Sequence, residues 1–267
     1  MYTEFYSLSE IPFNIANDQK FLFKTENHLD MISNLQYSLQ YDKGLLVVTG
    51  EVGTGKTTLL HAAMGHFNFK INTVYIFNPF LTVTEFFIQL SDELQLPRSG
   101  SKPELLTLLH RLLLERYSKG QRTVLIIDEA HGLSPELLEQ IRLLLNFEMR
   151  SRKLLQIILC GQPELRDTLN RPDLRQFKQR ISLHCQIQPL SLCEVDKYIR
   201  FRLKTAGALR VDLFADDAVE LIGEASRGIP RVVNNLCDNA LRCGAMAGHA
   251  QITRPVVEEV AEMLSLQ

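Results

Sequence analysis

One short stretch narrows what this chain can fold into more than any other. Gly50-Glu51-Val52-Gly53-Thr54-Gly55-Lys56-Thr57 follows directly on the apolar run Leu45-Leu46-Val47-Val48-Thr49 and opens directly into helical periodicity over 57–67. Glycines at these places let the backbone wrap a phosphate with its N–H groups turned inward, and the helix start adds positive potential. Lys56 then reaches the β- and γ-phosphates of a nucleotide and the Thr57 hydroxyl suits Mg2+. The expected cofactor-binding set is Gly50, Glu51, Val52, Gly53, Thr54, Gly55, Lys56, Thr57 and Thr58.

The run before the loop is continuously hydrophobic, as strands covered on both faces of a parallel sheet are. Similar runs recur over 73–77, 123–127 and 154–160, separated by helical periodicity over 27–41, 57–67, 83–94, 103–117 and 135–148. This alternation predicts a doubly wound α/β domain. After Ser182 the pattern turns helical. Ser191 and Glu194 make a capping box for a helix through Lys204, Gly207 is a helix stop, and further helices are expected over 215–225, 230–245 and 255–264. Ile187-Gln188-Pro189-Leu190 is the seam, which predicts an N-terminal segment plus α/β domain over 1–188 and an all-helical domain over 189–267.

A second constellation lies at the end of the run 123–127, where Asp128-Glu129 emerges at the mouth of the sheet. Asp128 is the expected Mg2+-supporting carboxylate and Glu129 the base that orients an attacking water. Asp128-Glu129-Ala130-His131 also spells the motif of one helicase class, but those enzymes need a second nucleotide-binding lobe that residues after Ser182 do not supply. His131 is left as a packing, hydrogen-bonding or coupling residue. Gln162, after the run 154–160, projects a polar amide near the same edge. Arg166, Arg171, Arg175, Lys178 and Arg180 form a basic cluster that reads equally as a source of an arginine acting in trans, a solvated surface, or a contact for nucleic-acid phosphates. Arg231 follows Pro230 in the first turn of a helix, where a cation wants an anionic partner such as phosphate.

Composition sets outer bounds. Lys and Arg number 29 against 31 Asp and Glu, a net charge of -2, so no global field draws nucleic acid or an anionic membrane. Apolar runs fall short of the ~20 residues that span a bilayer, and the N-terminus lacks the basic and apolar regions of a secretory signal. Cys160, Cys185, Cys193, Cys237 and Cys243 form no Cys-x-x-Cys pair, as expected of reduced thiols.

Taken with Phe5-Tyr6-x-Leu8, Pro12-Phe13, Gly161-Gln162-Pro163-Glu164-Leu165, Gln179-Arg180-Ile181 and Gly228-Ile229-Pro230-Arg231-x-x-Asn234, these motifs resemble, across essentially the whole chain, the AAA+ ATPases of the general secretion pathway A (ExeA-like) type. The resemblance implies an AAA+ P-loop NTPase core with a small helical lid, hydrolysing ATP with Mg2+. It implies Gln162 as sensor 1, Arg180 or else Arg175 as the finger on a neighbour's nucleotide, and Arg231 as sensor 2. Asn78 resembles the switch residue that can hold Glu129 from water, and Pro12 and Phe13 would lie over the adenine. It further implies a homo-oligomer supporting assembly of a bacterial secretion or pilus system, cytoplasmic and peripheral at the inner membrane. Larger members continue into a transmembrane helix and a periplasmic region, so a short member or a cytoplasmic portion is expected. The same core resembles DNA-loading transposition and replication-initiation regulators, which leaves nucleic acid as the less favoured partner.

Overall fold

A strand whose residues are all buried needs cover on both faces, and Leu45–Gly50 is such a strand. The architecture comes from a computed structural model that describes residues 2–15, 18–65, 67, 69–77, 80–97, 101–149 and 152–266. From the N-terminus run α1 (Tyr2–Phe5), α2 (Glu26–Gln40), β1 (Leu45–Gly50), α3 (Lys56–Met64), β2 (Ile71–Ile76), α4 (Val83–Glu93), α5 (Lys102–Ser118), β3 (Arg122–Ile127) and α6 (Pro135–Leu144). There follow β4 (Glu148–Met149), β5 (Arg152–Lys153), β6 (Leu155–Gly161), α7 (Glu164–Leu169), α8 (Arg175–Lys178) and β7 (Ile181–Ile187). Four helices complete the chain: α9 (Leu192–Thr205), α10 (Asp216–Ser226), α11 (Pro230–Ala247) and α12 (Arg254–Met263).

The chain divides into two compact units. Residues 28–50 and 59–187 form the α/β unit. Its sheet has the order β2-β3-β6-β1-β7, and every neighbouring pair is parallel. On one face Leu45, Val47, Leu125, Ile127, Ile157 and Leu159 share a core with Phe86 and Leu90 of α4, Leu109 and Leu113 of α5, and Leu137 and Ile141 of α6. The other face is sealed as well, since Leu46, Val48, Ile126 and Ile158 are buried. There Gln156, in step with Ile158, donates a hydrogen bond to the Leu39 carbonyl at the end of α2. Thr49 pairs with Gly161 and Ile127 with Leu159, so β1, β3 and β6 finish within a residue or two of one another at one sheet edge. Open α/β sheets bind ligands at that carboxyl edge.

β7 lies where a change to helices was expected. Its residues alternate between covered (Cys185 and Ile187 buried) and exposed, because it is an edge strand paired only along β1. The helix expected over 135–148 stops at Leu144, and Glu148–Met149 turns back antiparallel on Arg152–Lys153.

Residues 1–27, 51–58 and 188–267 form the helical unit. The sequence predicts one unit over 1–188; the N-terminal segment packs instead with the helices. Tyr6, Leu8 and Phe13 are buried in the same core as Val195, Ile199, Phe214, Val233 and Leu236. Arg202, buried on α9, locks the segment in place. It donates to the carbonyls of Pro12 at 2.6 Å and Asn14 at 2.9 Å and to the Tyr198 hydroxyl at 2.9 Å, while Tyr198 donates to Asn234 of α11. A buried guanidinium is tolerated only when so many of its donors are met. The capping box forms as expected, with Ser191 receiving the Glu194 N–H and Glu194 the Ser191 N–H.

Between α10 and α11 the chain reverses through Arg227 (φ 51°) and Gly228 (φ 69°). The Leu190 N–H donates to the Gly228 carbonyl at 2.9 Å, and a Cβ on Gly228 would stand 1.8 Å from the Leu190 oxygen. Gly228→Ala therefore destabilises the helical unit by ~3 kcal/mol or more, since the left-handed backbone strain and a backbone collision act together. Urea unfolding of the full chain checks this, and a loss below ~1 kcal/mol would show that the junction yields easily.

Candidate functional site

The loop leaves β1 after Gly50 and folds around a single carbonyl. Glu51 O accepts the Thr54 N–H at 3.3 Å, the Thr54 hydroxyl at 2.8 Å and the Lys56 ammonium at 3.1 Å. Lys56, the first residue of α3, is 7% exposed. An ammonium held against a neutral carbonyl gains when an anion takes the carbonyl's place, because charge-assisted hydrogen bonds are roughly twice as strong as neutral ones. Gly53 adopts φ +85°, and a Cβ there would lie 2.7 Å from Arg231 Cβ and 3.2 Å from Ile229 Cγ2. Glycine is thus required both by the turn and by the close approach of α11, whose Arg231 N–H donates to Gly53 O at 3.3 Å. Two helix starts, of α3 and of α11, meet at this loop and give it positive potential.

The α/β unit carries the acidic pair. Asp128 follows β3 directly; its N–H donates to Ile76 O at 2.9 Å, and its Oδ1 accepts the Glu129 N–H at 2.9 Å. Burial first and the Asp128 carboxylate second push the Tyr75 phenol up to about 12. Glu129 sits in the left-handed region at φ 51°, a conformation that costs a non-glycine residue ~1–2 kcal/mol and that functional positions retain. Its side chain is 46% exposed and meets Gln162 Nε2 at 3.5 Å and His131 Nδ1 at 3.4 Å. Gln162 follows β6 and also contacts His131 Nε2 at 3.3 Å. Structure thus brings Glu129 and Gln162 together and adds His131, whose place no spacing rule reveals.

Arg175 and Arg180 are exposed on and just after α8. Pro12 and Phe13 are buried; Phe13, 2% exposed, packs edge-to-face on Phe214 at 6.1 Å. Phe13 also lines a cavity of ≈ 710 Å³ with Tyr2, Phe5, Ile15, Asp238 and Arg242. Asn78 lies outside the described residues.

An AAA domain family matches residues 39–169, from the end of α2 to the end of α7. Over 254 residues, 94% of the chain, the sequence is 41% identical to General secretion pathway protein A of Aeromonas hydrophila. The chain belongs to the AAA+ family, in its general secretion pathway A branch. It spans 46% of that relative's length. Solved structures share the fold. The Aeropyrum pernix ORC2 protein, in its ADPNP-ADP complexes, superimposes with a TM-score of 0.65 at 15% identity, covering 88% of this chain and 66% of that one. The Thermotoga maritima RuvB Holliday junction branch migration motor gives 0.59 at 20% identity, covering 91% and 70%. The matched range includes the loop at 50–57 and the acidic pair at 128–129.

Proposed function

We propose that the chain binds ATP with Mg2+ and hydrolyses it, as a switch or motor that works in an oligomer. The observation that carries this reading is Glu129, held in a strained backbone conformation at the carboxyl edge of the sheet with its carboxylate against Gln162. Strain at a half-exposed carboxylate is kept where the carboxylate has a task. In hydrolysis, water attacks the γ-phosphorus, Glu129 accepts its proton, and the bond from phosphorus to the β–γ bridging oxygen breaks to release ADP and phosphate. The loop N–H groups and Lys56 hold the polyphosphate, Gln162 contacts the γ-phosphate or the water, and Arg231 adds charge from the lid.

The donor set suits Mg2+. Thr57 and Asp128 offer one hydroxyl and one carboxylate, and Mg2+ characteristically takes one or two carboxylates and fills its shell with phosphate and water. No cluster of three His, Cys, Asp or Glu that could hold a metal ion gathers among the described residues. When bound, Mg2+ neutralises charge on the phosphates.

Likeness to General secretion pathway protein A of Aeromonas hydrophila supports a role in secretion. We extend this to pilus assembly, to a place on the cytoplasmic side of the inner membrane and to secretion or pilus assembly proteins as partners. Among the described residues no helix is long and apolar enough to cross a membrane. Lys56→Ala tests the nucleotide reading. Titration with a fluorescent ATP analogue is expected to show affinity weakened about 30-fold, the worth of a buried charge on phosphate. Unchanged affinity would contradict it.

A further inference from the structure

We infer that His131 is a positioning residue for hydrolysis, which sets the orientation of the Glu129 carboxylate and links it to Gln162. The inference rests on the reading of Glu129 as the base.

Three contacts close a triangle: Gln162 Nε2 to Glu129 Oε2 at 3.5 Å, Gln162 Nε2 to His131 Nε2 at 3.3 Å, and His131 Nδ1 to Glu129 Oε2 at 3.4 Å. Their chemistry is consistent in one arrangement only. An ionised carboxylate accepts and never donates, so both the amide NH2 and the ring nitrogen facing it must carry hydrogen. The amide's second N–H then points at His131 Nε2, which must be the bare nitrogen. Nδ1 is therefore the protonated one, and it faces Glu129.

That nitrogen is buried and has no hydrogen-bond partner, with the carboxylate oxygen 3.4 Å away. A buried N–H left unmet costs ~1–3 kcal/mol, and a slight turn of the carboxylate removes the cost. The same turn restricts a side chain that otherwise keeps much of its rotamer freedom in solvent.

The fold builds this meeting deliberately. His131 rides on a 3-10 turn, Ala130–Gly132, closed by the Gly132 N–H to Glu129 O at 3.0 Å and anchored by the buried Ala130. β6 ends against that turn at Gly161, where a Cβ would stand 3.1 Å from His131 N and 3.1 Å from Leu165 Cδ2. Glycine there lets the next residue, Gln162, reach the imidazole. A histidine that only filled space would need neither the bare Nε2 nor the buried Nδ1.

Turnover and ATP affinity of the full chain test this with two near-isosteric changes. His131→Leu keeps bulk and removes both nitrogens; His131→Asn keeps an amide donor close to the Nδ1 position. His131→Leu is expected to lower kcat about tenfold at unchanged ATP affinity, and His131→Asn to recover to within about threefold of wild type. In a Glu129→Gln background, His131→Leu should cause no further loss. Wild-type turnover in His131→Leu, or equal loss in the Leu and Asn variants, would overturn the inference while leaving Glu129 as the base. Wild-type turnover in Glu129→Gln alone would overturn the base reading, and this inference with it.

Discussion

Replacing Glu129 by Gln slows ATP turnover by about 10³-fold and leaves ATP affinity within about twofold of wild type, because a general base contributes 10²–10⁴-fold to rate and little to ground-state binding. The substitution is nearly isosteric. It keeps a side chain that can contact Gln162 and His131, and it leaves the Glu129 N–H free to donate to Asp128 Oδ1 as before. What it removes is the proton acceptor. A fall in affinity of the same size as the fall in rate would point instead to a collapsed loop. Phosphate release and nucleotide titration on the same preparation separate the two.

Arg180→Ala is expected to lower turnover by a similar ~10³-fold, the worth of an arginine supplied in trans to a γ-phosphate. Arg180 suits this role by its mounting. Its N–H donates to Phe177 O at 2.9 Å, Phe177 is buried in the α/β core, and Ile181 begins β7 immediately after it. The backbone is fixed while the guanidinium stays exposed, and it helps Lys153, the larger influence, hold the Glu148 carboxyl below its usual range. Arg175 is exposed too, but on a helix of four residues. The check is complementation. Arg180→Ala and Glu129→Gln proteins, each inactive, should regain turnover when mixed, since one supplies the base and the other the finger. A mixture as slow as its components would return Arg180 to the solvated surface.

Much of this was legible in residue order, for physical reasons. β1, β3 and β6 are covered on both faces, so they read as mostly apolar runs, and the loop at 50–57 carries its pattern between a strand and a helix. Ser191 and Glu194 cap each other within one helical turn, a purely local event. β7 was not legible, because an edge strand leaves one side to solvent, and Ser182, His184 and Gln186 there are polar and exposed. The attachment of residues 2–15 to the helices was hidden as well. It depends on aromatic residues without a period and on Arg202, nearly two hundred positions away in sequence from the carbonyls it binds. His131 belongs to the same class. Its meeting with Gln162 is created by the approach of β6 to a turn after β3, and no spacing within either segment announces it.

The central claim is that this chain turns over ATP at a site its copies share. The measurement that tests it most directly is phosphate release by the wild-type chain, with saturating ATP and Mg2+, across a wide range of protein concentration. The account predicts a specific activity that climbs as copies associate and then levels off. Phosphate release no faster than that of the Glu129→Gln protein at every concentration would contradict it.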